Sequence, residues 1–197
     1  RIPSSAASDV YKRQYYKFSV NKDNAIRFGM GAIKGVGASA VKAIVGERKL
    51  NGPYSSIFDL SQRVDLRAAN KKAFDSLAAA GAFYSFNINR AQYFHDNGDG
   101  LTFIEKILRH GNKFQENKNS SQVSLFAGTN DMQVSNPDIP QVEPWPTIEK
   151  LTKEKEVVGI YISGHPLDDF KVEMESFCNG DVSVFKSPKE FVNKEIS

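Results

Sequence analysis

From Ala32 to Ile44 the chain reads Ala-Ile-Lys-Gly-Val-Gly-Ala-Ser-Ala-Val-Lys-Ala-Ile, and these residues are the ones best suited to holding an anion. The pattern fits a short helix leading in, a bend at Gly35-Val36-Gly37, and a second helix leading out. Glycine suits such a bend because it adopts backbone angles that are costly for other residues, and because a bare backbone lets another molecule come close. Val36 is expected to tuck back between the two helices. The amides of the bend and of the outgoing helix's first turn then have no partner and face outward. With Lys34 and Lys42 beside them, they would hold a phosphate.

Three structures can carry this pattern. One is similar to the helix-hairpin-helix motif, which grips nucleic acid by its phosphates without reading sequence. In that reading Lys34, Gly35, Val36, Gly37 and Ala38 form the binding core, and Lys42, Arg67, Lys71 and Lys72 are auxiliary phosphate contacts. The second is a plain turn between helices with no ligand. The third is a nucleotide loop, because Gly35 to Ala40 also fits G-x-G-x-x-A. That fingerprint needs a buried strand directly in front, which Gly29, Gly31 and Lys34 interrupt, and a following strand that ends in an acidic residue. A P-loop is excluded, since Lys34 precedes the glycines instead of following them.

A second stretch, Gln122-Val123-Ser124-Leu125-Phe126, lies among polar residues with no local core to join. An exposed Leu-Phe pair there suits a pocket on a partner, and Gln122 can add amide hydrogen bonds. The competing reading is a short strand packed on its own domain. No catalytic or metal-binding set is expected. His95, His110 and His165 are scattered, Asp168-Asp169 opens a helix, and Cys178 shares an apolar helical face with Met174 and Phe177.

The elements that would position these residues follow from periodicity. Tyr16, Phe18 and Val20 alternate, and Ala25, Ile26 and Phe28 follow a turn-like Asn21-Lys22-Asp23-Asn24, which predicts a β-hairpin. Helical spacing runs over 31–50 and ends at Asn51-Gly52-Pro53. Ser55 or Ser56 caps a short helix through Leu60. Further helices are expected over 69–80, closed by Gly81, and over 89–94 and 102–110. Residues 111–146 have linker composition, with Pro137, Pro140, Pro144 and Pro146. Thr147 is expected to cap a helix through Val157, Asp168 to start another, and residues 181–185 to form a strand.

The fold class expected is therefore mainly α: a tandem hairpin bundle at 31–110 behind a β-hairpin at 15–30. A linker at 111–146, a helical segment at 147–180 and the start of a further domain at 181–197 follow. Residues 1–14 read as a non-native, adapter-derived arm, and both ends look cut.

The 197 residues are 40% hydrophobic and 25% charged, as in soluble globular domains. No apolar run reaches membrane-spanning length, and no secretory segment is visible. The single cysteine excludes a disulfide framework and points to a reducing cytoplasmic setting. The net charge of +3 conceals a division: 12 basic and 5 acidic residues over 15–90, against 11 basic and 17 acidic over 91–197. Positive charge accumulates around the glycine bend.

Taken in order, the residues from Ile26 to Gly37, then Phe58-Asp59-Leu60, Val64-Asp65, the run from Leu77 to Phe83, and Asn89-Arg90-Ala91 resemble a known series. Pro144-Trp145-Pro146 and the run from Glu154 to Leu167 extend it. The resemblance, over about residues 15–197, is to the bacterial replicative polymerases of family C, the DNA polymerase III alpha subunits. It implies the end of the fingers, a paired helix-hairpin-helix region whose second hairpin is degenerate, a sliding-clamp peptide at Gln122 to Phe126, and the edge of an OB domain. It further implies duplex DNA, the sliding clamp and other replicase subunits as partners, with no membrane. The catalytic aspartates and their Mg2+ would belong to a palm domain that nothing here matches, so this part would need no cofactor. Two other functions stay open: a repair scaffold without a polymerase, and a small nucleotide-binding enzyme built on Gly35-Val36-Gly37.

Overall fold

Several helix boundaries in this chain are set by capping residues and left-handed glycines, and the helices of its first unit pack around an aromatic-rich core. The computed structural model describes residues 18–20, 24, 26–121 and 135–177. Its contacts divide the chain into two units, Arg1–Ser163 and Gly164–Ser197. The fold is mainly α, as the periodicity indicated.

The first unit opens with two short antiparallel strands, β1 (Ser19–Val20) and β2 (Ile26–Arg27), paired Val20 to Ile26. A 3-10 turn at Met30–Ala32 leads to helix α1 (Ala38–Asn51), which ends where Gly52 takes φ +83°. Helix α2 (Ile57–Arg63) starts at Ser56, whose hydroxyl accepts from the Asp59 amide at 3.0 Å. Helix α3 (Lys71–Ala79) starts at Asn70, whose side chain accepts from the Ala73 amide at 3.1 Å. A reciprocal capping box between Asn89 and Gln92 fixes helix α4 (Arg90–Phe94). Each of these caps satisfies amides that the first helical turn leaves without partners.

Ile57, Phe74, Phe103, Ile104 and Ile107 are fully buried, and Leu77 and Tyr93 nearly so. The rings of Phe74, Phe83, Tyr93, Phe103 and Phe58 form a chain of contacts through the bundle, with centroids 5.6 to 6.3 Å apart. Arg63 closes the α1–α2 connection. It pairs with Glu47 at 3.1 Å and Asp59 at 3.0 Å, donates to the Gly52 and Pro53 carbonyls, and lies over the Tyr54 ring.

Four sequence expectations need correction. The linker does not begin at residue 111, because helix α5 runs from Phe103 to Ser121. Its polar second half includes the good helix formers Lys113, Gln115, Glu116 and Lys118, and Gln115 reaches back to the Ser61 and Val64 carbonyls at 3.0 and 2.9 Å. Residues 135–146, expected to be free, lie along α4. Gln92 donates to the Pro140 carbonyl and Asn89 to the Val142 carbonyl, while Trp145 packs on Phe94 at 5.3 Å. Finally, Thr147 does not cap helix α6 (Thr147–Val158); Pro146 stands at the cap position with no side-chain bond. Helix α6 also packs on α3, so it belongs with the hairpin bundle and not with a separate segment over 147–180.

The second unit holds a 3-10 turn at Asp168–Phe170 and helix α7 (Lys171–Phe177). Asp168 accepts from the His165 amide at 2.7 Å, so it closes the turn that starts this element. The arm at 1–14, the peptide Gln122 to Phe126, Cys178 and the strand at 181–185 lie outside the described residues.

One glycine fixes how closely α2 and α5 approach. A β-carbon on Gly111 would sit 2.6 Å from the Ser61 carbonyl oxygen and 2.9 Å from the Ser61 Cβ. Gly111→Ala is therefore expected to force the helices apart and cost about 1–3 kcal/mol, although alanine is the better helix former. A urea midpoint equal to or above the unaltered chain's would contradict this packing.

Candidate nucleic-acid interface

The bend is built as its sequence suggests, but its two glycines serve different ends. Gly35 has φ +90°, and a β-carbon there would lie 2.6 Å from Ser76 Oγ and 3.3 Å from Lys72 Cγ. It is glycine for conformation and because α3 lies directly against it. Gly37 has an ordinary φ of −75°, and a β-carbon there would meet nothing closer than Ser39 Oγ at 3.8 Å. Its own fold does not require glycine, so the expectation that both glycines serve unusual backbone angles holds only for Gly35.

Val36 is buried, 5% exposed, and its amide bonds the Ile33 carbonyl at 3.0 Å. Gly37, Ala38 and Ser39 are exposed at the start of α1, and no side chain caps that helix. Its first-turn amides are thus open to solvent at the positive end of a 14-residue helix. No acidic residue stands in the first turn.

The cations divide into two groups. Lys34 and Lys42 are exposed and make no ion pair with a described residue. Lys72 is brought to the bend, its side chain running past Gly35. Lys71 instead pairs with Asp75 at 3.1 Å and stands 3.9 Å from Glu105. Arg67 is exposed in the loop before α3, where its amide bonds Asp65. Of the four auxiliary contacts expected, the structure thus places Lys72 at the bend and holds Lys71 to acidic neighbours. A nucleotide loop is not built: a 3-10 turn, not a strand, precedes Gly35.

Two supports of the bend were not legible in the sequence. The Lys34 amide donates to the Val157 carbonyl at 2.8 Å, so the last turn of α6 holds the lead-in to the hairpin. That turn is in turn fixed by Glu154, which is fully buried. Arg90 pairs with Glu154 at 2.7 Å and donates to Ser163 Oγ at 2.8 Å; the Ser163 amide bonds Glu154 at 2.7 Å, and the Ile162 amide and Ser163 hydroxyl also donate to it. Burial pushes the Glu154 carboxyl up, but bonds from Ser163, Arg90 and the two amides outweigh it and hold the group below the usual glutamate range. Gly81, at φ +78°, leaves the room the Arg90 guanidinium occupies. Chain separations of 64 and 123 residues leave no local pattern by which sequence alone could pair Arg90 with Glu154, or Lys34 with Val157.

A family model described as a helix-hairpin-helix motif matches residues 7–93. DNA polymerase III subunit alpha of Xylella fastidiosa (strain Temecula1) is 33% identical over 172 residues, 85% of this chain. The protein of the same name from Caulobacter vibrioides is 32% identical over 148 residues, 75% of the chain, and that from Escherichia coli K12 is 30% identical over 166, or 84%. The chain spans only 12 to 14% of the length of these relatives. It belongs to the DNA polymerase III alpha-subunit family, as a segment that carries a helix-hairpin-helix motif.

Proposed function

We propose that this segment holds duplex DNA by its phosphate backbone while the parent polymerase copies the template, and that it tethers the parent to the sliding clamp. The observation that carries the first part is the uncapped start of α1, with exposed amides at Gly37, Ala38 and Ser39 and with Lys34 and Lys72 beside the bend. Backbone amides and lysines recognise phosphate without reading bases, so affinity should not depend on sequence. Nucleotidyl transfer and its Mg2+ would come from parts of the polymerase outside the matched span. This segment would need no cofactor, and its setting would be the cytoplasm. Gln122, Val123, Ser124, Leu125 and Phe126 would dock on the clamp, raising the effective concentration of polymerase at the primer; other replicase subunits would join through the parent.

Anisotropy with a labelled duplex tests the DNA reading. The logarithm of affinity should fall linearly with that of salt, and Lys34→Ala and Lys72→Ala should each reduce the slope by about 1. A salt-insensitive affinity would reject it. For the tether, a clamp pull-down should lose most of the chain when Leu125 and Phe126 are both alanine. Undiminished capture would reject that half alone.

A further inference from the structure

Beyond the hairpin, the first unit contains a cleft of about 540 Å³ at the far end of α3. Tyr84, Asn87, Arg90, Tyr93, Trp145 and Lys150 are among its walls, and among the described residues none that lines it is acidic. Its volume falls in the range of ligand sites. The groups left unengaged there define what would fit. Tyr84 is 72% exposed. The side chains of Asn87 and Lys150 make no hydrogen bond or ion pair with a described residue. Tyr93, itself 1% exposed, lines the cleft from the core side, and its hydroxyl has no hydrogen-bond partner among the described residues. Arg90 is committed to Glu154, and Trp145 is already contacted by Phe94 and Lys153.

A flat ring with polar edges and an attached anion satisfies these groups together. Tyr84 offers a face for stacking, the exposed Asn87 amide offers a donor and an acceptor to ring edges, and Lys150 offers a charge for phosphate. We propose that the cleft takes one unpaired base of single-stranded DNA, with Tyr84 as its stacking platform and Lys150 on the adjoining phosphate. A paired base has its edge occupied and its faces stacked, so a duplex would be refused. The cleft reaches α3 at Ala78, about 9 Å along the helix from Lys72 at the hairpin, by helix rise. The assignment does not depend on the hairpin's ligand.

Trp145 is the only tryptophan, so its emission reports on the cleft. A short oligothymidylate titrated into the 197-residue chain should change that emission saturably, and a blunt duplex should not. Tyr84→Ala removes an exposed ring and should weaken strand binding about tenfold while leaving duplex affinity unaltered. If duplex binding is absent but the strand still changes Trp145 emission, the hairpin reading fails and the cleft stands. An equal response to the duplex, equally tight binding of thymidine monophosphate, or unchanged affinity in Tyr84→Ala would overturn the proposal.

Discussion

Gly37→Asp is expected to abolish most duplex binding while leaving the fold as stable as before or more so. The two effects have one origin. Gly37 is the N-cap of α1, in an extended conformation open to any residue, with nothing within 3.8 Å of the added β-carbon. Aspartate is a preferred cap, and its carboxylate would accept from the first-turn amides that now have no side-chain partner. It would also meet the positive end of the helix. Both gains are worth a few tenths to about 1 kcal/mol. The same carboxylate would then occupy the amides proposed to hold a phosphate and place a negative charge against it. A loss of at least about tenfold in affinity, roughly 1.4 kcal/mol, follows. The variant separates binding from folding, which few substitutions at a binding loop do. Anisotropy and urea denaturation on the same preparation check it. A variant that binds DNA normally would remove the amides of α1 from the interface; one that unfolds would mean that Gly37 is needed for the fold.

By contrast Gly35→Ala should damage both properties, since its β-carbon would collide with Ser76 and its φ of +90° disfavours any side chain. The pair shows what local sequence can and cannot convey. Two glycines flanking Val36 signalled a bend, and the bend is there. Nothing in their spacing distinguished the glycine required by geometry from the one that leaves a helix end bare. That difference depends on α3, which supplies Ser76 and Lys72 from 35 and more residues away.

Legibility elsewhere follows the same physical division. Helix limits set by Ser56, Gly52 and Gly81 are readable because these residues act within a turn of where they stand, while the caps Asn70 and Asn89 fall inside the helical spacing at 69–80 and 89–94. Segments whose structure depends on distant partners were not. Residues 111–121 look like linker because they are polar, yet they extend α5, and Gln115 answers carbonyls 51 and 54 positions earlier. Residues 135–146 are rich in proline, which lacks the N–H a ladder needs, and they are held by the side-chain amides of Gln92 in α4 and of its cap Asn89 instead. In sequence Lys72 is indistinguishable from Lys71 as a phosphate contact. Only the packing of α3 on Gly35 separates it from its neighbour, which is paired with Asp75.

The buried Arg90–Glu154 pair, which holds the α6 turn that bonds the hairpin lead-in, carries the other large effect. Arg90→Met keeps much of the side-chain volume but leaves the Glu154 carboxylate buried without its counter-charge, an arrangement that costs about 3–5 kcal/mol. Its pH dependence gives the cause away. In the unaltered chain Glu154 titrates below its unfolded value, so its contribution is complete above about pH 5 and is lost as pH falls through the folded value. Without Arg90, burial has less to oppose it and the carboxyl is pushed up. A raised acid destabilises most when ionisation is enforced, so the deficit should be widest near neutral pH and narrow on acidification toward pH 4. Glu154→Leu added to Arg90→Met removes the uncompensated charge and should recover most of the loss. Urea midpoints at neutral and acidic pH read both outcomes. A deficit of constant size across that range would mean that Arg90 acts by packing alone. Because the Val157 carbonyl, on the same last turn of α6, holds the Lys34 amide, duplex affinity should fall with stability in Arg90→Met and return in the double variant. Lys72→Ala, by comparison, should lower affinity with no change in the urea midpoint.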